Sequence, residues 1–349
     1  MQLKSREAGA EDFWATAARR AEELRLALER CIVFVNGKGG TGKTSCCANI
    51  GATMASYLAG EGSTRRVLLL DFDIQANLMS DFGVRGQEGD DQGKSILRAI
   101  VANNELSVLQ GIRPQLDIVP SGDELKRTVR YLAACTDQER VEAWLNLMEA
   151  VAWIAPAYEW ILIDCPPGDE ELQKLAMALA RWVVIPTVFD KASRYGLEQV
   201  GKLFDLVEAV NTEAEVLGLI MFGFERREER AVKQGGEVVD YKEVGQRSRL
   251  RSALEADLAR GGSDAPVFQA VIGNSRTAGE VCRELGMTAG EVADLVVSDE
   301  WAELSKDLAR RLGGNVTLAP TTAEALASDY ERVTGEVFQR ALAMVGGRA

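Results

Sequence analysis

Short unbroken apolar runs punctuate the chain at CIVFVNG (31–37), RVLLLDFD (66–73), LDIVPSG (116–122), WILIDCPPG (160–168), WVVIPTVF (182–189) and VLGLIMFGF (216–224). Runs that are apolar at successive rather than alternate positions predict strands buried on both faces. Between them the stretches 43–60, 94–103, 139–153, 169–180 and 195–211 read as helices. Strand and helix in alternation predict an α/β fold, a doubly wound, mostly parallel sheet with right-handed crossovers and helices on both faces. Near the start, residues 11–30 place Phe13, Trp14, Ala17, Ala18, Ala21, Leu24 and Leu28 near helical spacing with charges between them, which predicts an amphipathic helix. Near the end, 322–346 reads as one or two further helices. Only GGSD (261–264) and GGNVTLAPT (313–321) resemble linkers. The expected organisation is therefore a helical extension over 1–30, one doubly wound domain over 31–312, and a helical extension over 313–349.

Composition narrows the chemistry. The 349 residues are 46% hydrophobic and 27% charged, an ordinary globular balance. Lys plus Arg number 40 against 53 for Asp plus Glu, a formal charge of −13, so nucleic acid or anionic lipid would have to be met by a local basic patch. Histidine is absent and the six cysteines show no CxxC spacing, which excludes histidine-based triads and the usual zinc patterns. The charged N-terminus lacks the apolar core of a signal peptide, and no stretch reaches the roughly 18 apolar residues of a membrane span. A soluble, reducing, cytoplasmic setting is expected.

The first apolar run leads into Gly37-Lys38-Gly39-Gly40-Thr41-Gly42-Lys43-Thr44, with Ser45 following, and this satisfies GxxxxGK[ST] between a predicted strand and a predicted helix. Glycines let backbone N–H groups curl around phosphate oxygens, and the helix behind them presents its positive end. Lys43 supplies a point charge, and the Thr44 hydroxyl is placed to ligate Mg²⁺.

Lys38 departs from a plain phosphate loop, and Lys38-Gly39-Gly40-Thr41-Gly42-Lys43-Thr44 resembles the KGGxGK[ST] signature of the ParA/MinD family of deviant Walker ATPases. The resemblance runs over about residues 31–290. It implies a P-loop NTPase fold, ATP and Mg²⁺ as cofactors, and an ATP-sandwich homodimer in which Lys38 reaches the partner subunit's nucleotide. Asp71-Phe72-Asp73-Ile74-Gln75-Ala76-Asn77 looks like the ParA-type DxDPQxN switch with Ile74 in place of proline, and Gln75-Ala76-Asn77 favours the ParA branch. By that resemblance Lys38, Lys43 and Asp73 are the catalytic residues, with Asp73 positioning water and the Mg²⁺ shell. Asp164-Cys165-Pro166-Pro167-Gly168 is similar to a Walker B strand end, so Thr44, Asp73 and Asp164 are the implied metal group.

The family's ParA branch binds DNA nonspecifically in the ATP state. Lys242, Arg247, Arg249 and Arg251, set against Glu243 alone over 242–251, form the candidate patch. VIGNSRTAGEV (271–281) resembles the family stretch with a DNA-contacting arginine, which places Arg276 there, and Arg226 and Arg227 lie near another such position. The implied function is a slow, partner-stimulated ATPase that binds nonspecific DNA, associates with the nucleoid, and partitions plasmid, chromosome or other cargo with a ParB-like or other adaptor. Two alternatives stand beside it, a MinD-like membrane-associated spatial regulator and a nucleotide-gated protein scaffold. The tail disfavours the membrane, since its last sixteen residues lack a lysine-rich face.

Overall fold

The computed structural model describes residues 2–188, 192–224, 229–234, 237–243, 245–312 and 317–346. The strands are β1 (Cys31–Phe34), β2 (Arg66–Asp71), β3 (Leu109–Arg113), β4 (Leu116–Val119), β5 (Tyr158–Asp164), β6 (Trp182–Thr187), β7 (Glu215–Phe224), β8 (Glu229–Gln234), β9 (Glu237–Glu243) and β10 (Val267–Gly273). The helices are α1 (Gln2–Arg25), α2 (Lys43–Gly60), α3 (Asn77–Asp81), α4 (Lys94–Ala102), α5 (Leu125–Ala134), α6 (Asp137–Ile154), α7 (Glu170–Leu179), α8 (Ala192–Val207), α9 (Gly245–Arg260), α10 (Arg276–Leu285), α11 (Ala289–Val296), α12 (Trp301–Leu312) and α13 (Pro320–Gly346).

One eight-stranded sheet runs in the order β10-β7-β6-β1-β5-β2-β4-β3, parallel throughout except for the β3–β4 pair. The predicted doubly wound sheet is present, and all six apolar runs became strands of it. Two of its strands carried weaker signals. β3 is a half-exposed edge strand, and β10 has its apolar run broken by the exposed Gln269. The β8–β9 hairpin forms a separate two-stranded sheet, so the basic run of 242–251 starts in a strand and continues into α9.

Pairing fixes where the chemistry sits. β5 lies between β1 and β2, and the registers set Asp164 beside Phe34 on one side and Asp71 on the other. The segments leaving β1, β2 and β5 therefore converge at the carboxyl edge of the sheet, where open α/β sheets bind ligands.

Each sheet face has its own core. One gathers side chains from α1 and α4 to α9, the other from α2, α3 and α10 to α13. The N-terminal helix belongs to the first. Ala17 and Ala21 are buried, as is Leu28 in the turn that follows, Arg20 pairs with Glu142 and Glu149 of α6, and the buried Arg25 donates to the carbonyls of Ala178 and Val210 at 2.8 and 3.0 Å.

α13 likewise is one helix packed into the second core through Val333, Val337 and Ala341. It also finishes the sheet. At the free edge of β10 the Glu336 carboxylate accepts the N–H groups of Gln269 and Ala270 at 2.8 and 2.6 Å, and the buried Asp329 accepts that of Gly273 at 2.9 Å. An unpaired strand edge is costly when buried and adhesive when exposed, so the helix removes both liabilities. The expected extension at 313–349 is thus, over its described part, a structural wall of the domain.

Candidate functional site

The loop after β1 is shaped before any ligand arrives. Asn36 clamps its base, the side-chain amide donating to the Pro186 carbonyl at 2.8 Å while its oxygen accepts the Lys38 N–H at 3.0 Å. At Gly42 φ is 90°, and a Cβ there would lie 2.5 Å from the Phe222 ring, so conformation and space both demand glycine. Gly42 caps α2 without any side-chain hydrogen bond, which leaves the first-turn N–H groups open toward an anion. The buried Lys43 turns back to donate to the Lys38 carbonyl at 2.9 Å. Burial lowers its pKa, with Cys165, Asp164 and Asp73 pulling the other way. A phosphate would supply the missing negative charge. Lys38 is half-buried at the start of the loop.

Opposite the loop stand the carboxylates. The Thr44 hydroxyl donates to Asp164 Oδ2 at 2.6 Å, while Asp164 Oδ1 is sealed from solvent with no hydrogen-bond partner. Asp71, fully buried on the neighbouring strand, accepts the Asp73 N–H at 2.8 Å through Oδ1 and leaves Oδ2 equally orphaned. Burial pushes the Asp164 carboxyl up to about 7, partly opposed by the Thr44 hydroxyl and Lys43. Burial and then the Asp164 charge push Asp71 up as well. Orphaned carboxylate oxygens beside a hydroxyl are the hard oxygen donors that Mg²⁺ prefers, so Thr44 and Asp164 fit a metal here.

Asp73 is differently employed. Its carboxylate accepts the Gln75 N–H and the Asn77 side-chain amide, each at 2.9 Å, and its own carbonyl accepts the Ser121 hydroxyl. The switch turn thus grips both oxygens of Asp73, and the next turn position, Ala76, holds φ at 51°, an uncommon conformation for alanine. Departure of either hydrogen bond would release an oxygen toward a ligand.

From the loop a cavity of about 490 Å³ opens, lined by Thr44, Asp73 and Asn77 together with Phe222 and Ile272 and the polar Asn274 and Arg283. Leu326 and Tyr330 of α13 complete it. The sequence marks these two only as one face of a helix, through their i, i+4 spacing, and contains no local signal for what that face covers.

The proposed DNA residues do not share one surface. Arg249 is exposed, and the Arg276 side chain is 87% exposed at the cavity rim with Glu280 at 2.9 Å. Arg247 is buried, and Arg251, 9% exposed, donates to the carbonyls of Val267, Phe268 and Gln269. Arg247 is thus withdrawn from the exposed face by burial, and Arg251 spends its guanidinium on strand carbonyls, so neither lies on the surface where the basic run was expected to meet a phosphate. The Lys242 side chain and residues Arg226 and Arg227 lie outside the described residues.

Known proteins resemble this chain in sequence and in fold. The AAA domain family model matches residues 29–216. Chromosome partitioning protein ParA of Myxococcus xanthus is 30% identical over 218 residues, spanning 61% of this chain and 71% of that protein. The chromosome-partitioning ATPase Soj of Treponema pallidum is 30% identical over 219 residues, spanning 61% and 78%. Among solved structures, apo McdA of Cyanothece matches with a TM-score of 0.58 at 18% identity, over 76% of this chain and 95% of that one, a likeness of fold. With its two-lysine phosphate loop, its paired strand-end aspartates and these relatives, the chain belongs to the ParA/MinD family of P-loop ATPases.

Proposed function

We propose that this protein is a Mg²⁺-dependent ATPase that dimerises around ATP, binds DNA without sequence preference as that dimer, and positions a chromosome, plasmid or other cargo with an adaptor protein. The observation that carries the reading is the conjunction, at one sheet edge, of the Lys38–Thr44 loop with Asp164 on the Thr44 hydroxyl. The loop N–H groups and Lys43 hold the triphosphate, and Thr44 and Asp164 hold the Mg²⁺, which neutralises charge on the phosphates when bound. Asp73 orients the attacking water after the switch turn loosens its grip. Turnover well below the median enzyme's roughly 10 per second suits a timer awaiting a partner. The partition relatives named above support the cargo role.

Nothing favours a bilayer in the same way. Among the described residues no helix is long and apolar enough to cross a membrane, and the apolar face of α13 is already spent on the core.

Lys38 and Lys43 provide the test. Lys38→Ala should bind ATP yet remain a monomer by light scattering with MgATP, whereas Lys43→Ala should lose at least tenfold in ATP affinity by calorimetry, because phosphate charge is left uncompensated. An ATP-induced dimer of normal mass in Lys38→Ala would sink the sandwich model.

A further inference from the structure

We propose that Ser121 is a positioning residue for ATP hydrolysis, a fixed post that holds the main chain of Asp73 while the Asp73 carboxylate is released toward the attacking water. This rests on the reading of Asp73 as the residue that orients that water, and it names what sets where Asp73 stands. Two kinds of hydrogen bond reach Asp73. Its carboxylate is taken up by the Gln75 N–H and the Asn77 side-chain amide, both members of its own turn, so these bonds move with the turn. Its main chain is held from firmer ground. The N–H donates to Oδ1 of Asp71, the last residue of β2, at 2.8 Å, and the carbonyl accepts the Ser121 hydroxyl beside the Ala76 N–H at 2.9 Å.

Sheet register brings the two residues together. β4 pairs with β2 in parallel, with Val119 opposite Leu70, so the chain leaving β4 runs beside the chain leaving β2 and carries Ser121 to Asp73. Both holding groups are buried, Asp71 fully and Ser121 to 1% exposure. Water cannot compete for a hydrogen bond in such a place, which strengthens it.

The post is itself anchored away from the switch turn. A Cβ at Gly122 would lie 3.1 Å from the Gln92 Cα, and the Gln92 carbonyl accepts the Glu124 N–H at 3.1 Å. Asp91, next in the chain, accepts the N–H groups of Gly93 and Ser95 at 2.9 and 2.8 Å, tying that loop to the start of α4. Ser121 therefore belongs to a packed corner between β4, α4 and α5. With its N–H and carbonyl both pinned, Asp73 has its side chain left to move. A misplacement of about 1 Å at such a group can cost 100-fold in rate, so the anchor matters to chemistry more than to binding.

The experiment uses the full chain with MgATP. Ser121→Ala removes one hydroxyl and leaves the Asp73 carbonyl its Ala76 N–H. Phosphate release at saturating MgATP should fall about five- to tenfold, the size of one hydrogen bond, while ATP affinity by calorimetry stays within about twofold. A double variant asks whether the loss runs through Asp73. With Asp73→Asn in place, adding Ser121→Ala should slow single-turnover phosphate release by less than about twofold. A wild-type rate in Ser121→Ala, or the full loss repeated in the Asp73→Asn background, overturns the proposal while leaving the role of Asp73 intact. Loss of ATP affinity in Ser121→Ala equal to its loss of turnover also overturns it, since the hydroxyl would then support the fold of the site. A wild-type rate in Asp73→Asn overturns the reading of Asp73 and this proposal together.

Discussion

The Thr44 hydroxyl donates to the Asp164 carboxylate across 2.6 Å, joining the first turn of α2 to the end of β5. The burial of that carboxylate, which the hydrogen bond only partly offsets, ties metal binding to pH. Burial pushes the Asp164 carboxyl up to about 7 from an ordinary value near 3.9, so the metal-free site carries a proton through much of the acid range. A ligating carboxylate must shed that proton. MgATP affinity should therefore fall as pH drops through about 7 and level off above about 8, with proton release visible as a buffer-dependent heat. Asp164→Asn should flatten the profile. Without metal, the raised carboxyl pKa makes protonation favour the folded state, so that contribution is full below about 4 and fades as pH climbs through about 7. A wild-type affinity that is level from pH 6 to 8 would mean that the Asp164 carboxyl is already ionised before the metal arrives.

Asp73 separates binding from chemistry. Its carboxylate is taken up by the Gln75 N–H and the Asn77 side-chain amide. Asp73→Asn keeps an acceptor for the Gln75 N–H, so it should bind ATP within about threefold of wild type. It should nevertheless turn over at least 100-fold more slowly, the usual scale for removal of a positioning or general-base group. Phosphate release at saturating ATP measures this. Equal rates would leave Asp73 a turn-forming residue only.

The alternation of apolar runs with helices made the parallel sheet legible, and Gly37–Thr44 made the phosphate loop legible, because both signals are local in the chain. What stayed hidden depended on distant partners. Nothing near Asp71 in sequence says that its carboxylate will lie beside Asp164, since only the β2–β5 register brings them together. Arg247 and Arg251 look like surface charge in a basic run, yet the strand carbonyls that claim Arg251 lie 16 to 18 residues away. β3 was invisible because a half-exposed edge strand needs no continuous apolar run. α13 announced itself as a helix, but its role as strand cap and cavity wall comes from Glu336, Asp329 and Tyr330 meeting β10 and the phosphate loop.

That role is measurable apart from nucleotide. Glu336→Ala would strip the acceptor from two backbone N–H groups of β10, one of them on the buried Ala270. Leaving such groups unsatisfied costs about 1–3 kcal/mol, so the urea unfolding midpoint should fall by that free energy divided by an unchanged slope. A midpoint equal to that of wild type would mean that water replaces the carboxylate and that the strand edge is open.

The arginines divide into two classes with opposite expected behaviour. Arg249 and Arg276 face solvent, and Arg276 stands at the rim of the nucleotide cavity, so occupancy of the site and formation of a dimer can double and align them. Arg249→Glu with Arg276→Glu should weaken ATP-dependent binding to random duplex DNA while leaving the unfolding midpoint and ATP affinity alone. The salt dependence should flatten too, since each DNA phosphate that is no longer neutralised takes about 0.9 off the log–log slope. Arg251→Ala should do the reverse. It frees the carbonyls of Val267, Phe268 and Gln269, costing about 1.5–3 kcal/mol of stability through the missing charged hydrogen bonds, and changes DNA binding only as far as the fold suffers. Fluorescence anisotropy with and without ATP, run beside co-sedimentation with anionic liposomes, separates the outcomes. Binding to liposomes alone would favour a membrane-associated regulator, and binding to neither surface would leave a nucleotide-gated scaffold that acts through protein partners.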